Sequence, residues 1–245
     1  MDNNKGKQPK LILVGAGPGD PELFTLKGIK ALKSANVILH DALAHPDIMQ
    51  YANPEAEKIF VGKLKGICQF KQEDINSLII EKAKEKGTVV RLKGGDPFIF
   101  GRGHEEQIFA ESHGLKVEVV PGLSSCYAVP ELAGIPLTRR GMNESFWVIT
   151  GTTKEHKLSE DVYQAAKSKA TVVVLMGMHK LSQIVEIYQV EGKGNLPVAI
   201  IQRGSWGEEK RGLGIIDNII SIKEEQKLSS PAVIVIGEVA RLMSK

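Results

Sequence analysis

The chain has 245 residues, 42% apolar, 25% charged and only 5% aromatic, with 32 Lys and Arg against 29 Asp and Glu for a formal charge of +3. This is the make-up of an ordinary soluble protein with room for two modest cores. The small charge bias and the scarcity of stacking side chains argue against nucleic-acid and membrane partners, while leaving an anionic small substrate open.

The polar opening "MDNNKGKQPK" has no apolar core, so it reads as a short disordered tail over residues 1–9 of a cytoplasmic protein. "LILVGAGPGD" then gives an apolar run broken at once by Gly15, Gly17, Pro18 and Gly19, the pattern of a buried parallel strand ending in a tight loop. Thr25 is placed to cap a helix whose Leu26, Ile29 and Leu32 are expected on one face. "ANVILHD" and "KIFVGK" supply strands ending on Asp41 and Lys63. "EDINSLIIEKAKEKG" supplies an amphipathic helix with Ile75, Leu78 and Ile79 inward and Gly87 as its stop. "TVVRL", the helix "GHEEQIFAESHG" and the strand "LKVEVVPG" complete a first α/β unit over residues 10–135. Pro130, Gly134 and Pro136 interrupt both periodicities near its end.

The rhythm restarts over residues 136–245 with "SFWVITG", "ATVVVLMG", a helix around "KLSQIVEIY", "PVAIIQRGS", "RGLGIIDNII" and "PAVIVIGEVARLM". Turns replace several helices there, which predicts a mixed sheet after a mostly parallel one. Ligands are expected beyond the carboxyl ends of the strands.

Four constellations stand out. "GAGPGD" fails the dinucleotide fingerprint because its third glycine, Gly19, comes one position early, so the loop is either a structural turn or a place of close ligand approach. "GGDP" at 94–97 joins two glycines that permit main-chain contact to Asp96, an acceptor, and Pro97, which fixes the exit. Asp41 and Lys63 end strands on one edge of the sheet, where they either move protons around a substrate or form an inert pair. Met176 is either core filler or a soft wall against a ligand. Neither Cys68 with Cys126 nor any of the six histidines has a metal-binding spacing, so no metal is assigned.

Taken together, "VGAGPGDPELFTLKG", "VVRLKGGDPFIFGRG", "VEVVPGLSS", "AGIPLT", "LMGM" and "PAVIVIGEV", in this order from about Leu11 to Leu242, resemble the uroporphyrinogen-III C-methyltransferases of the tetrapyrrole (corrin/porphyrin) methylase family. The resemblance implies a two-lobed α/β fold with S-adenosylmethionine in a cleft between the lobes, and a homodimer. It also implies methylation of uroporphyrinogen III at C2 and C7, through precorrin-1 to precorrin-2, the precursor of siroheme and cobalamin, with S-adenosylhomocysteine as the second product. Carried over by position, the implied cofactor contacts are Pro18, Gly94, Gly95, Asp96, Ile99, Ser124, Ser125, Met176 and Gly204. The implied proton acceptor and donor are Asp41 and Lys63. Arg102 and Arg139 are candidate partners for the carboxylate arms of the substrate, and pairing of Arg102 with Glu105 or Glu106 is the structural alternative.

The chain departs from the family pattern where "YDRLV" becomes "HDALA", "GKR" becomes "GKL", a histidine gives way to Cys68, and "PLTHR" becomes "PLTRR". All four changes fall on the expected substrate side, and Arg139 is placed to return a positive charge that Ala42 and Leu64 lack. A later precorrin methylase of the same fold is the nearest alternative. A protein or RNA-nucleoside methylase and a non-catalytic nucleotide-binding pair of lobes are more distant ones.

Overall fold

The computed structural model describes residues 9–62 and 70–244. The expected tail therefore lies outside the described residues except for Pro9, whose carbonyl accepts a bond from Lys116 N–H. Lys63, Leu64 and Cys68 also lie outside them. The chain divides into two compact units, Met1–Ser124 and Ser125–Lys245.

The first unit is a five-stranded, all-parallel sheet in the order β3-β2-β4-β1-β5, where β1 is Lys10–Gly15, β2 Val37–His40, β3 Glu57–Phe60, β4 Thr88–Lys93 and β5 Lys116–Val120. Period-2 alternation loads both faces. Ile12, Val14, Ile38, Val90 and Leu92 pack beneath helix α1 (Leu26–Ser34), while Leu11, Leu13, Leu39 and Val89 pack beneath α2 (Gln72–Lys86) and α3 (Gly103–Ser112).

Thr25 caps α1 as expected, its Oγ1 accepting from Gly28 N–H at 3.0 Å. Leu26, however, is 79% exposed. The buried stripe is Gly28, Ala31 and Leu32, and a residue two positions before Gly28 falls about 200° round the helix from it. Gly87 ends α2 with φ +102°, a conformation open to glycine.

The second unit is a mixed sheet in the order β6-β7-β10-β8-β9, formed by β6 Phe146–Thr150, β7 Thr171–Leu175, β8 Pro197–Gln202, β9 Lys210–Ile215 and β10 Ala232–Ile236. Only β6 and β7 pair in parallel. One face packs on α5 (Asp161–Lys167), α6 (Leu181–Val190) and α7 (Ile219–Glu225). The other packs on α4 (Ser125–Leu132) and the 3-10 turn Glu238–Leu242.

Helix α4 corrects the expected boundary after residue 135. Pro130 is the sixth of the eight residues of α4, where its ring removes one backbone donor, and the helix ends two residues later at Leu132. Cys126, Val129, Ala133 and Ile135 join Val173, Ala199, Ile201 and Val235 in one core, so this segment belongs to the second sheet. "RGLGIIDNII" also divides, because Asn218 Oδ1 accepts from Ile215 N–H at 2.8 Å in the turn between β9 and α7.

Three loops of the first unit meet at the carboxyl edge of its sheet without room for a side chain. A Cβ on Gly15 would lie 2.5 Å from Gly122 N and 2.6 Å from Gly95 O, and one on Gly122 would collide with Gly95 O. Gly15→Ala is therefore expected to destabilise the protein by about 1–3 kcal/mol or more. Gly207→Ala, where a Cβ meets nothing within 4 Å, should stay within about 0.5 kcal/mol. Urea unfolding midpoints measure both, and equal midpoints would contradict the packing argument. In the second unit the Tyr188 hydroxyl is buried with no hydrogen-bond partner among the described residues, and burial pushes its phenol pKa upward. Tyr188→Phe should then leave the thermal midpoint unchanged or raised, since the hydroxyl makes no bond to lose.

Candidate functional site

In a parallel sheet every strand delivers its following loop to the same edge, so Asp41 after β2, Gly94–Asp96 after β4, Gly15–Pro18 after β1 and Gly122 after β5 all emerge together. Gly17 and Gly95 lock two of these loops by exchanging bonds, N–H of Gly95 to O of Gly17 at 2.7 Å and the reverse at 3.2 Å. Gly17 takes φ +79° and Gly95 φ +66° to do so. Pro18 follows, buried in the same corner.

Asp96 fastens a third loop, accepting from Gly122 N–H at 3.1 Å on Oδ2 and from Phe98 N–H at 2.8 Å on Oδ1. Its carboxylate therefore organises the loops. Each oxygen retains one further acceptor position. Gly94 packs so tightly on Leu43 that a Cβ there would overlap the Leu43 side chain, which ties this loop to the segment carrying Asp41.

Beyond Asp96 the chain makes a compact turn closed by Gly103 N–H to Pro97 O at 2.9 Å. Phe98, Ile99 and Phe100 project in succession and are 46%, 44% and 44% exposed. Arg102 adopts φ +59° at the start of α3 and forms a bidentate pair with Glu105, Nε to Oε1 at 3.0 Å and Nη2 to Oε2 at 2.7 Å. The structural alternative for Arg102 is thus the arrangement observed, on the surface.

Asp41 is reached from below by a charge cluster that the sequence reading passed over. Val89, Arg91 and Lys93 alternate on one face of β4, and α3 lays Glu106 across that face. Arg91 Nε donates to Glu106 Oε1 at 3.3 Å, Nη1 to the carbonyls of Leu39 at 3.4 Å and Leu92 at 3.0 Å, and Nη2 to Asp41 Oδ2 at 3.4 Å. Lys93 Nζ lies 3.1 Å from each Glu106 oxygen, and Gln72 Nε2 donates to Oε1 at 3.0 Å. Burial, aided by the neighbouring Arg91, lowers the Lys93 pKa, while Glu106 and Asp41 oppose that shift. Burial likewise lowers that of His40, beside Asp41. The visible signal was two cations two residues apart in an otherwise apolar strand.

In the second unit, β7 and β8 both run antiparallel to β10, so their carboxyl ends share an edge and bring Met176 and Gly204 to the same side of that sheet. Met176 is half exposed at φ +56°, and its carbonyl accepts from Thr152 Oγ1 at 3.0 Å. A Cβ on Gly204 would overlap Val129 of α4, the helix that Ser125 opens. Ser124, buried, closes the first unit. Arg139 is exposed in the loop after α4, and no carboxylate among the described residues pairs with it.

Seven described non-glycine residues have positive φ, and five of them, Phe100, Arg102, Met176, Arg203 and Ser205, lie in these strand-end loops. Such strain persists where surrounding structure imposes it and gathers at functional sites.

A model of the Tetrapyrrole (Corrin/Porphyrin) Methylases matches residues 10–219. The chain is 45% identical over 236 residues to a uroporphyrinogen-III C-methyltransferase of Methanocaldococcus jannaschii, covering 96% of this chain and 98% of that protein. A protein of the same description from Bacillus subtilis is 44% identical over 237 residues, and there the chain spans about half of the relative, 49%. Among solved structures, the uroporphyrin-III C-methyl transferase of Thermus thermophilus complexed with S-adenyl homocysteine superposes with a TM-score of 0.82 at 37% identity, covering 96% of this chain and all of that one. From 45% identity over 96% of its length and the family match over residues 10–219, the chain belongs to the tetrapyrrole methylases.

Proposed function

We propose that the protein methylates uroporphyrinogen III at C2 and C7 with S-adenosylmethionine, giving precorrin-2 by way of precorrin-1 and S-adenosylhomocysteine as the other product, on a route to siroheme or cobalamin. The observation that carries this reading is the near-full-length similarity to a uroporphyrinogen-III C-methyltransferase. We further propose that it works in the cytoplasm as a homodimer.

The residues fit such a methyl donor in chemical terms. The Gly94–Gly95 main chain is half-buried at a strand edge without side chains, which suits close approach by a ligand, and the Met176 thioether is half exposed on a constrained backbone. Pro18, Gly94, Gly95, Asp96, Ile99 and Ser124 of the first unit, with Ser125, Met176 and Gly204 of the second, are the proposed contacts. S-adenosylmethionine supplies a sulfonium methyl that is already an activated electrophile. The protein's contribution is then chiefly alignment and exclusion of water.

Methylation of a pyrrole carbon leaves a positively charged ring system that must lose a proton to regain neutrality, and Asp41 is the proposed acceptor of that proton, with Lys63 the proposed donor. Arg139 is suited to a carboxylate arm because its guanidinium is exposed and has no acidic partner among the described residues. Arg102 would have to exchange Glu105 for the substrate, which a surface pair worth about 1 kcal/mol or less permits.

Anaerobic incubation with uroporphyrinogen III and the methyl donor, followed by mass analysis, should show two methyl additions. A product formed only from a later precorrin would overturn the substrate assignment. Calorimetric titration should show binding of S-adenosylmethionine or S-adenosylhomocysteine, and binding of neither would sink the cofactor assignment. Asp96→Ala is expected to weaken that binding by about 1.5–3 kcal/mol, because it removes an acceptor and frees the Gly122 loop.

A further inference from the structure

The cluster behind Asp41 joins two cations, Arg91 and Lys93, to two carboxylates, Glu106 and Asp41. The side chains of Arg91, Lys93 and Glu106 are 5%, 6% and 0% exposed, whereas that of Asp41 is 23% exposed. Asp41 is thus the member of the cluster that reaches the surface.

Burying ions costs several kcal/mol each, and well-packed apolar residues in their place are often as stable or more so. Positions 91 and 93 lie on the central strand β4, on a face where β1 and β2 otherwise present Val and Leu up to Gly15 at the edge, and both side chains are buried, so stability alone gives no reason for charges there. The geometry supplies another reason. Arg91 stands opposite Leu39 in the β2–β4 register, and its Nη1 holds carbonyls on both strands, so the guanidinium plane is fixed to the two backbones that end at Asp41 and Gly94. Glu106, itself held by Lys93, grips it from the far side. Its remaining nitrogen, Nη2, meets Asp41 Oδ2, while Asp41 Oδ1 takes the N–H groups of Leu43 at 3.2 Å and Gly94 at 3.4 Å.

We propose that Arg91, anchored by Glu106, which Lys93 holds in turn, is a positioning residue that sets the orientation of the Asp41 carboxylate for proton transfer. The inference rests on the reading of Asp41 as the proton acceptor. Arg91 does not itself touch the reacting atoms in this scheme. It holds the acceptor in one orientation, with the planar, multi-donor geometry that a lysine lacks. Asp41 in turn accepts from the Gly94 N–H directly, so the acceptor and the loop of the proposed cofactor contacts share one corner.

The test is a double-mutant cycle on the full chain, with Arg91→Lys, Asp41→Asn and both together, assayed with uroporphyrinogen III and an isotope-labelled methyl donor so that slow variants remain measurable. Arg91→Lys should lower kcat about tenfold or more while changing the Kd for S-adenosylhomocysteine less than about twofold. In the Asp41→Asn background the same change should lower the residual kcat by less than about twofold, because its effect runs through a carboxylate no longer present. Equal fold losses in the two backgrounds would show that Arg91 acts on the fold at large, and would overturn the proposal. If Asp41→Asn turns over at the parental rate, the acceptor reading itself fails. If Asp41→Asn is slow but Arg91→Lys is not, only the positioning inference fails. Should Arg91→Lys not fold, Glu106→Gln takes its place in the cycle with the same expectations, since it loosens the guanidinium from the opposite side.

Discussion

The close contact of Gly15, Gly95 and Gly122 is the constraint on which the arrangement of the first unit depends. Three parallel strands reach one edge, and the main chains that leave them touch where side chains would ordinarily hold them apart. Main chain in contact with main chain must satisfy its polar groups there. The Gly17–Gly95 exchange and the Asp96 bonds to Gly122 and Phe98 meet that requirement. Small residues, a bidentate-capable carboxylate and positive φ values are thus parts of one solution. Its result is a fixed edge of half-buried glycine backbone at Gly94 and Gly95 beside Asp41.

The two units reach a loop-lined edge by different routes. In the first, parallel pairing alone sends every carboxyl end to one side. In the second, β10 runs against both its neighbours, so β7 and β8 present Met176 and Gly204 together although the sheet is mixed. Around both edges the chain accepts left-handed conformations at ordinary residues such as Phe100 and Met176. Conformations of this kind cost of order 1–3 kcal/mol each. The two apolar cores of the second unit and the paired cores of the first supply the rigidity that sustains them.

Much of this was legible in the residues. Runs such as "LILVG" and "TVVVL" announce buried strands because only a strand covered on both faces is apolar throughout, and Thr25 and Gly87 mark helix ends through local chemistry that needs no tertiary context. The glycine loops and Asp96 were visible as patterns, but the partner of Asp96 was not, because Gly122 lies far along the chain and is brought close by sheet order. Helix α4 was hidden by Pro130, whose effect depends on its place within the helix. Arg91, Lys93 and Glu106 were hidden for a related reason. A cation in an apolar run says that a partner must exist, but only the packing of α3 on β4 says which. Arg102 shows the reverse case, a conspicuous residue whose local partner, three positions on, takes its Nε and Nη2 on the surface.

The attachment of α4 to the second unit bears on how the chain is completed. Ser244 N–H and Oγ both bind the carbonyl of Ala133, just past the end of α4, and Arg211 reaches from β9 to Leu132 O and Ser244 O. The first sheet is complete in sequence once Val120 has been made, whereas the second draws on residues from Ser125 to Ser244 and closes its last bonds at the far end. On the ribosome, where domains fold as units in order of synthesis, the first unit can therefore settle while the second still awaits its final residues. During that interval Cys126, Val129 and Ile135 have emerged without the Val239, Ala240 and Met243 that will cover them, making this stretch the apolar segment that a nascent chain must hold in reserve longest.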